Sequence, residues 1–293
     1  MNYFKTFVNW IGNLVNLAKM RIKPTNQNLD LDSDLYAEMQ GLREEAVKNQ
    51  KKEMSSKEYL AAVKNLENIT VDFILALRMA FLMSSRFEGH ANFLVFRYFD
   101  LLIEAVASVH FLIKEGMLNS AKRELRYILE TSIKLSFIDV VYTDKSLKWK
   151  KDELKKRTPF SKWLEVWKSE FIFFEDFKEA VEFKNAIKSA YGDLSQEIHI
   201  SIQQLENYES RSKKGEPIGL EKSKTFAKIT KQTFQVYDLC LPLIYHCLGL
   251  SLAGDIFTLN FDDNRNWKFH KGKYTRRLST CFDYKHERQN RKT

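Results

Sequence analysis

The chain has 293 residues and a formal net charge of +9, with 44% hydrophobic and 29% charged residues, so it can bury a core and is not disordered as a whole. Glycine and proline (10 and 4 residues) make up about 5% of it, where an average soluble protein has roughly 12%. So few turn-forming residues exclude sandwiches, barrels and Rossmann-type folds, and predict an all-α bundle of five or six long helices joined by short loops.

The first 54 residues are expected to precede the bundle. In residues 1–22 the apolar side chains fall at helical spacing, which predicts an amphipathic N-terminal arm that covers the body or a partner; a helix on a membrane surface is the alternative. Residues 23–54 are predicted to be a polar linker, over residues 23–33, followed by a charged, exposed helix from Asp34 to about Lys52.

Residues 55–260 are predicted to form the bundle itself, because apolar side chains recur in them at helical intervals. After a first helix that begins near Ser56, further helices are expected at about Glu88–Lys114, Asn119–Tyr142, Glu175–Asn207 and Ser223–Leu259. A lysine-rich stretch, a short helix from Pro159 and a loop over Ser210–Pro217 separate them. Pro242 is expected to bend the last helix.

The net charge is concentrated in the last thirty residues. From Asn264 onward, ten basic residues oppose two acidic ones, a net charge of +8, and aromatic residues are interleaved with them. Cations beside stacking rings are typical of sequence-tolerant single-strand binding. We therefore predict a basic aromatic tail, residues 261–293, that binds RNA or another nucleic acid through Arg265, Trp267, Lys268, Lys271, Lys273, Tyr274, Arg276 and Arg277. An acidic partner protein, packing on the body and an anionic membrane are the alternatives.

Motifs for cofactor and metal chemistry are absent from the sequence. There is no Gly-x-x-x-x-Gly-Lys, no Gly-x-Gly-x-x-Gly, no His-Glu-x-x-His and no paired Cys-x-x-Cys, so we expect neither a cofactor nor a metal site. Three cysteines are too few for a disulfide framework, which favours a cytoplasmic location.

Polar residues on otherwise apolar helices form the main candidate site. Tyr191, Ser195 and His199 follow one another at intervals of four residues along one stripe of a helix. Arg126 and Glu130 share a face of another helix in the same way. These residues predict either an ion-pair network that joins the helices, or a polar cleft in which His199 acts as an acid or base near Arg126.

Two segments carry a resemblance to a known family. They are AKRELRYILETSIKLSFIDVVY, from Ala121 to Tyr142, and YGDLSQEIHIS, from Tyr191 to Ser201. They resemble a family of prokaryotic all-helical proteins in which one helix bears Arg-x-x-x-Glu and another bears Leu-Ser-x-x-x-His. That family is similar to the HEPN superfamily, whose helical domains often act as metal-independent ribonucleases in toxin, antiviral and RNA-processing systems.

The resemblance implies a site that pairs an arginine with a histidine. HEPN nucleases use an arginine followed after four to six residues by a histidine, commonly with a polar residue beside the arginine. His199 has no arginine at that spacing, so an arginine from another helix would have to reach it. The first candidate site is therefore His199, Arg126, Glu130 and Tyr191. The alternative site, which matches the spacing, is Arg265, Asn266 and His270. In the alternative site the arginine would bind the scissile phosphate and the histidine would move the proton of a 2'-hydroxyl, without a metal.

The sequence thus leads to two hypotheses of different classes. The first is a cytoplasmic, HEPN-like helical protein that binds RNA through its basic tail and acts as a defence or toxin-type effector, as a metal-independent endoribonuclease if it is an enzyme. The second is a non-catalytic helical module for protein–protein interaction or self-assembly. A homo-oligomer, such as a dimer, or a partner protein is expected, because many HEPN-like domains pair to form their cleft; a membrane surface is not expected.

Overall fold

A computed structural model describes residues 29–86, 89–156, 163, 177–195, 202–213 and 222–282. The regular elements in these ranges are all helical, which confirms the predicted all-α class. The chain divides into two units, Met1–Glu45 and Ala46–Thr293. The α-helices in the described ranges are α1 (Leu29–Met54), α2 (Lys57–Ser84), α3 (Leu94–Arg97), α4 (Phe99–Lys114), α5 (Leu118–Val141), α6 (Leu147–Lys155), α7 (Phe177–Ser195), α8 (Ile202–Lys213), α9 (Ser223–His246), α10 (Gly249–Ile256) and α11 (Lys273–Thr280).

Within the first unit, the structure describes only the beginning of α1. This helix starts at Leu29, so the last residues of the predicted linker are helical. The amphipathic helix predicted over residues 1–22 lies outside the described residues.

The core of the second unit is built around α9. This helix packs against α2, α5 and α11, and every side chain from Val236 to His246 is buried. Helix α2 contributes one buried stripe, with Leu66, Phe73 and Leu77 at the spacing that the sequence predicts. Phe73 stacks on Tyr237 with the ring centroids 4.0 Å apart. The middle of α9 is therefore enclosed by its neighbours.

The helix predicted from Glu88 to Lys114 is interrupted, and that prediction is wrong in this respect. Residues 90–92 form a 3₁₀ turn, and α3 and α4 are separated at Tyr98. The buried carboxylate of Asp139 accepts hydrogen bonds from the backbone N–H groups of Leu94, at 2.9 Å, and Val95, at 2.8 Å. This carboxylate caps the start of α3, so the interruption is set by a residue of α5 that lies far away in sequence.

The lysine-rich stretch after α5 forms α6 and supplies a buried ion pair. The Nζ atom of Lys150 lies 3.1 Å from Oδ1 of Asp139, and both side chains are fully buried. Burial raises the pKa of Asp139, although its hydrogen bonds and Lys150 oppose that shift. Removing either partner would leave an uncompensated buried group, so the pair fixes α6 against α3 and α5.

Two other predicted boundaries differ from the structure. Helix α8 continues to Lys213, so the first residues of the predicted Ser210–Pro217 loop are helical. The predicted last helix is divided: α9 passes through Pro242 and ends at His246, and α10 starts at Gly249. Gly249 has φ 74°, a left-handed value that glycine adopts without strain and that ends helical continuity.

The segment predicted as a basic aromatic tail is part of the core over residues 267–282. Trp267 is 2% exposed, Phe269 is fully buried, and Phe282 is 4% exposed. Trp267 stacks on Phe261 with the ring centroids 4.1 Å apart. The buried rings of this segment face the core, which accounts for aromatic residues that alternate with cations in the sequence. Residues 283–293 lie outside the described part of the chain.

A buried aspartate holds α11 against α9. The carboxylate of Asp238 accepts hydrogen bonds from the backbone N–H groups of Tyr274, at 3.0 Å, and Thr275, at 2.9 Å. Gly272 gives this carboxylate room, because a Cβ atom there would lie 2.1 Å from Oδ1 of Asp238.

In the ranges that the structure describes, no helix is both long and apolar enough to cross a bilayer.

Candidate active site

The structure brings together three of the four residues of the first candidate site. Helices α5 and α7 pack side by side. Arg126 on α5 donates a hydrogen bond through Nη2 to the hydroxyl of Tyr191 on α7, and its Cζ atom lies 4.4 Å from the centroid of the Tyr191 ring. Glu130 follows one turn later on α5, with Oε2 3.8 Å from Nε of Arg126. The guanidinium is thus held on an aromatic face between two helices.

Glu130 is shared between Arg126 and a fourth residue, Lys134. The Nζ atom of Lys134 lies 2.5 Å from Oε1 of Glu130, closer than Arg126 does, so the carboxylate mainly neutralises the lysine. Two cations and one carboxylate leave these side chains with a net charge of +1. Arg126 is 19% exposed and Glu130 is 28% exposed. We refer to Arg126, Glu130, Lys134 and Tyr191 as the α5–α7 cluster; it offers a partly exposed guanidinium to an anion.

Two further cations extend the basic surface of these helices. Arg123 precedes Arg126 by one turn on α5, Lys188 precedes Tyr191 by one turn on α7, and both are exposed. Neither Lys134 nor Lys188 was predicted from the sequence as a site residue. The spacing of four between Glu130 and Lys134 was a usable signal for the former. Lys188 carries no such signal, because its neighbours depend on how α7 packs.

The remaining polar residues of the predicted stripe behave differently. The hydroxyl of Ser195 donates to the backbone carbonyl of Tyr191, at 2.5 Å, within α7. This hydrogen bond lies within α7 and goes to the backbone of Tyr191, not to its hydroxyl. His199 lies outside the described residues, so its part in the site stays a prediction from the sequence.

The alternative site is not arranged for proton transfer at the Nε2 atom of His270. That atom lies 3.0 Å from the carbonyl oxygen of Phe261 and 2.9 Å from that of Asn264. Because both neighbours are acceptors, Nε2 must carry the proton and cannot remove one from a substrate hydroxyl. His270 therefore closes the turn that precedes α11, whereas Arg265 and Asn266 are exposed.

The residues predicted to bind nucleic acid are distributed over different environments. Lys273 pairs with Glu182, and Nε of Arg277 lies 2.9 Å from Oε2 of Glu179, so two of the cations tie α11 to α7. Tyr274 packs edge-on against Phe183, with the ring centroids 4.9 Å apart. Trp267 is buried and cannot stack on a base in this fold. Lys273 and Arg277 are exposed although they are paired, Arg265, Lys271 and Arg276 are also exposed, and Lys268 is partly buried.

The other reactive groups that the structure describes in the second unit do not form a comparable site. Burial raises the pKa of Cys240 to about 12 and that of Cys247 well above its usual value, so neither thiol supplies a thiolate at neutral pH. Among the described residues, no three His, Cys, Asp or Glu side chains come close enough together to hold a metal ion.

Comparisons with known proteins give no relative of this chain. No protein-family model, curated protein or solved structure matches it. The HEPN-like resemblance of the segments around Arg126 and His199 therefore stays a prediction from the sequence. What the structure adds to it is the contact between Arg126 and Tyr191.

Proposed function

We propose that this chain is a HEPN-like protein that binds RNA and cleaves it, without a metal, at the α5–α7 cluster. The observation that carries the proposal is the position of Arg126, whose guanidinium is fixed against Tyr191, is only distantly paired with Glu130, and is still partly exposed. A planar guanidinium can form two parallel hydrogen bonds to phosphate oxygens. It therefore matches a phosphodiester better than the single point charge of a lysine would.

In the proposed reaction, Arg126 neutralises the non-bridging oxygens of the scissile phosphate. His199, assigned from the sequence, removes the proton of the adjacent 2'-hydroxyl, and that oxygen attacks the phosphorus. The bond from phosphorus to the 5'-oxygen breaks, and the leaving oxygen takes up a proton. The products are a 2',3'-cyclic phosphate and a 5'-hydroxyl. Tyr191 acts as a positioning residue, because it contacts Arg126.

The RNA backbone is expected to follow exposed cations near the cluster and in the C-terminal segment. Arg123 and Lys188 flank the cluster, and Lys271 and Arg276 are exposed near α11. Such contacts neutralise phosphates without reading bases, so binding should be sequence-tolerant and should weaken with salt. This replaces the stacking on Trp267 that the sequence suggested. The resemblance further implies an antiviral or toxin-type effector that works as a dimer or with a partner protein, and the low cysteine count favours a cytoplasmic location.

A cleavage assay with end-labelled single-stranded and hairpin RNA tests the proposal. Arg126→Ala should slow cleavage by about 100-fold, the usual effect of removing one group that stabilises transition-state charge. The matched control is Arg86→Ala, since Arg86 pairs with Asp255 on the surface, 3.6 Å away, and should leave the rate unchanged. Thermal melting of each variant checks that the fold is intact. Equal rates for Arg126→Ala and the unmodified protein, or no cleavage by the unmodified protein, would overturn the proposal.

A second candidate function, self-assembly, is favoured by the surface of α8. Ile202, Leu205 and Tyr208 recur at intervals of three residues and are 77%, 52% and 67% exposed, which is unusual for large apolar side chains. Under this candidate, a second copy of the chain covers the stripe. Sedimentation analysis should then detect a dimer that Leu205→Glu disrupts. A monomeric unmodified protein at about 50 μM would exclude this candidate.

A further inference from the structure

A cleft distinct from the α5–α7 cluster is bounded by α2, α4 and residues 264–268. Its volume is about 820 Å³, within the range of roughly 300–1,000 Å³ that small-molecule sites occupy. Val71, Ile74 and Ala107 supply apolar surface, and polar side chains from all three segments line the rest. None of the lining residues belongs to the α5–α7 cluster. The cleft therefore offers both apolar surface and hydrogen-bonding groups.

His110, which lines this cleft, has one ring nitrogen that can accept a hydrogen bond. The hydroxyl of Thr70 donates its proton to the carbonyl of Leu66, at 2.8 Å, so its oxygen can only accept from Nδ1 of His110, 3.4 Å away. Nδ1 then carries the imidazole proton and Nε2 keeps a lone pair. Burial, and next the charge of Lys114, lower the pKa of His110, so the ring is neutral at physiological pH.

Lys268 supplies the available positive charge. Its backbone N–H donates to Oδ2 of Asp72, at 2.7 Å, which fixes the residue beside α2. The other lysine of the cleft, Lys64, lies 3.8 Å from Glu67, whose second oxygen lies 3.7 Å from Lys114. In the part of the chain that the structure describes, no carboxylate lies within ion-pair distance of the Lys268 ammonium, although its charge lowers the pKa of Asp72 against the larger effect of burial.

We propose that this cleft binds a nucleoside monophosphate. The base lies against Val71 and Ile74, an amino or ring N–H of the base donates to Nε2 of His110, and the phosphate pairs with Lys268. The side-chain amides of Asn264 and Asn266, at the rim formed by the turn, donate to and accept from the ribose hydroxyls. This inference goes beyond RNA cleavage, because it assigns a mononucleotide to residues that the α5–α7 cluster does not include.

Isothermal titration of the full-length protein with AMP, GMP, CMP and UMP tests the inference. At least one of the four should bind saturably, and more tightly than inorganic phosphate or the matching nucleoside alone. Lys268→Ala should weaken binding about tenfold or more, because a hydrogen bond to a charged group is lost. Lys57→Ala is the matched control: Lys57 is an exposed lysine of α2 outside the cleft and should leave the affinity unchanged. His110→Phe, which keeps an aromatic ring but removes both nitrogens, should also weaken binding.

Two results of the titration would overturn the inference. One is the absence of saturable binding of all four nucleotides up to about 5 mM, a concentration at which even millimolar affinity is measurable. The other is equal affinity of Lys268→Ala and Lys57→Ala. The RNA cleavage assay is run on the same variants. If His110→Phe cleaves RNA normally but does not bind the nucleotide, the ligand is a free nucleotide; loss of RNA cleavage in that variant would mean that the cleft holds a nucleotide of the RNA substrate and would overturn a separate site.

Discussion

The α5–α7 cluster and the C-terminal segment, residues 261–282, use the same kinds of residue in opposite ways. In the cluster, a guanidinium and an aromatic ring meet at a partly exposed surface, with a surplus of positive charge. In the C-terminal segment, the rings of Trp267 and Phe269 are buried, and cations such as Arg277 are paired with glutamates of α7. Basic and aromatic composition therefore indicates a binding surface only where the fold leaves both groups exposed.

The largest expected effect is on the packing of the C-terminal segment. Phe269 is fully buried and stacks on Phe234 with the ring centroids 5.2 Å apart. Phe269→Ala should lower the free energy of unfolding by about 3–5 kcal/mol, as measured by urea denaturation, because it leaves a cavity in the core. Lys271→Ala, an exposed change in the same turn, should alter it by less than about 0.5 kcal/mol. A stability loss no greater for Phe269→Ala than for Lys271→Ala would mean that the segment is a tail after all.

Gly272, in the C-terminal segment, and Gly192, beside the α5–α7 cluster, test the difference in packing between these two regions. Gly272→Ala places a Cβ atom against Asp238 and should destabilise the protein by about 1–3 kcal/mol. Gly192, beside Tyr191 on α7, has no neighbouring atom within 4 Å of an added Cβ. Gly192→Ala should therefore stabilise the protein by about 0.5–1 kcal/mol, since alanine favours a helix interior. Chemical denaturation of both variants measures the two signs, and the same sign for both would contradict the described contact.

The buried Asp238 should also affect stability through pH. Burial raises its pKa above the usual 3.8, despite the opposing hydrogen bonds from α11. Between the two pKa values the folded chain keeps a proton that the unfolded chain releases, so the free energy of unfolding falls as pH rises through that window. Denaturation at several pH values should show a smaller fall for Asp238→Asn than for the unmodified protein. If the free energy of unfolding falls with pH as steeply in Asp238→Asn as in the unmodified protein, other carboxyl groups cause the pH dependence.

The smallest expected effect comes from the ion pair between α11 and α7. The side chains of Arg277 and Glu179 are 42% and 34% exposed, so solvent screens their attraction. Arg277→Ala should change the free energy of unfolding by no more than about 1 kcal/mol. The measurement is the urea midpoint at low and high salt, and the difference between variant and unmodified protein should shrink as salt rises. A larger, salt-independent loss would show that the pair is structurally essential.

The helix class could be predicted from the sequence, and so could the polar stripes that carry Arg126 and Tyr191, because both follow from local spacing; the contact between the two stripes could not. Arg126 and Glu130 lie four residues apart on one helix, and Tyr191 lies on a second polar stripe. The interruption before α3 could not be predicted, because the carboxylate that caps α3 belongs to Asp139 on α5. The burial of Lys150 could not be predicted either, because it depends on a partner elsewhere in the sequence, Asp139, that compensates its charge.

The C-terminal segment shows a further limit of sequence patterns. A ring next to a cation has the same sequence pattern whether the ring stacks on RNA or on Phe261, as Trp267 does. The two cases differ only in which face of the segment meets the rest of the chain. That depends on contacts such as the one from Asp238 to the start of α11, which no local pattern contains.

The single-turnover rate of RNA cleavage, with protein in saturating excess, tests the central claim most directly. Arg126→Ala and Arg265→Ala make the same chemical change in the two candidate sites, and Arg265 is exposed, so its replacement does not disturb the core. If the α5–α7 cluster is the active site, Arg126→Ala cleaves RNA about 100-fold more slowly than the unmodified protein, whereas Arg265→Ala cleaves it at the unmodified rate. A slow Arg265→Ala variant beside an unaffected Arg126→Ala variant would contradict this account.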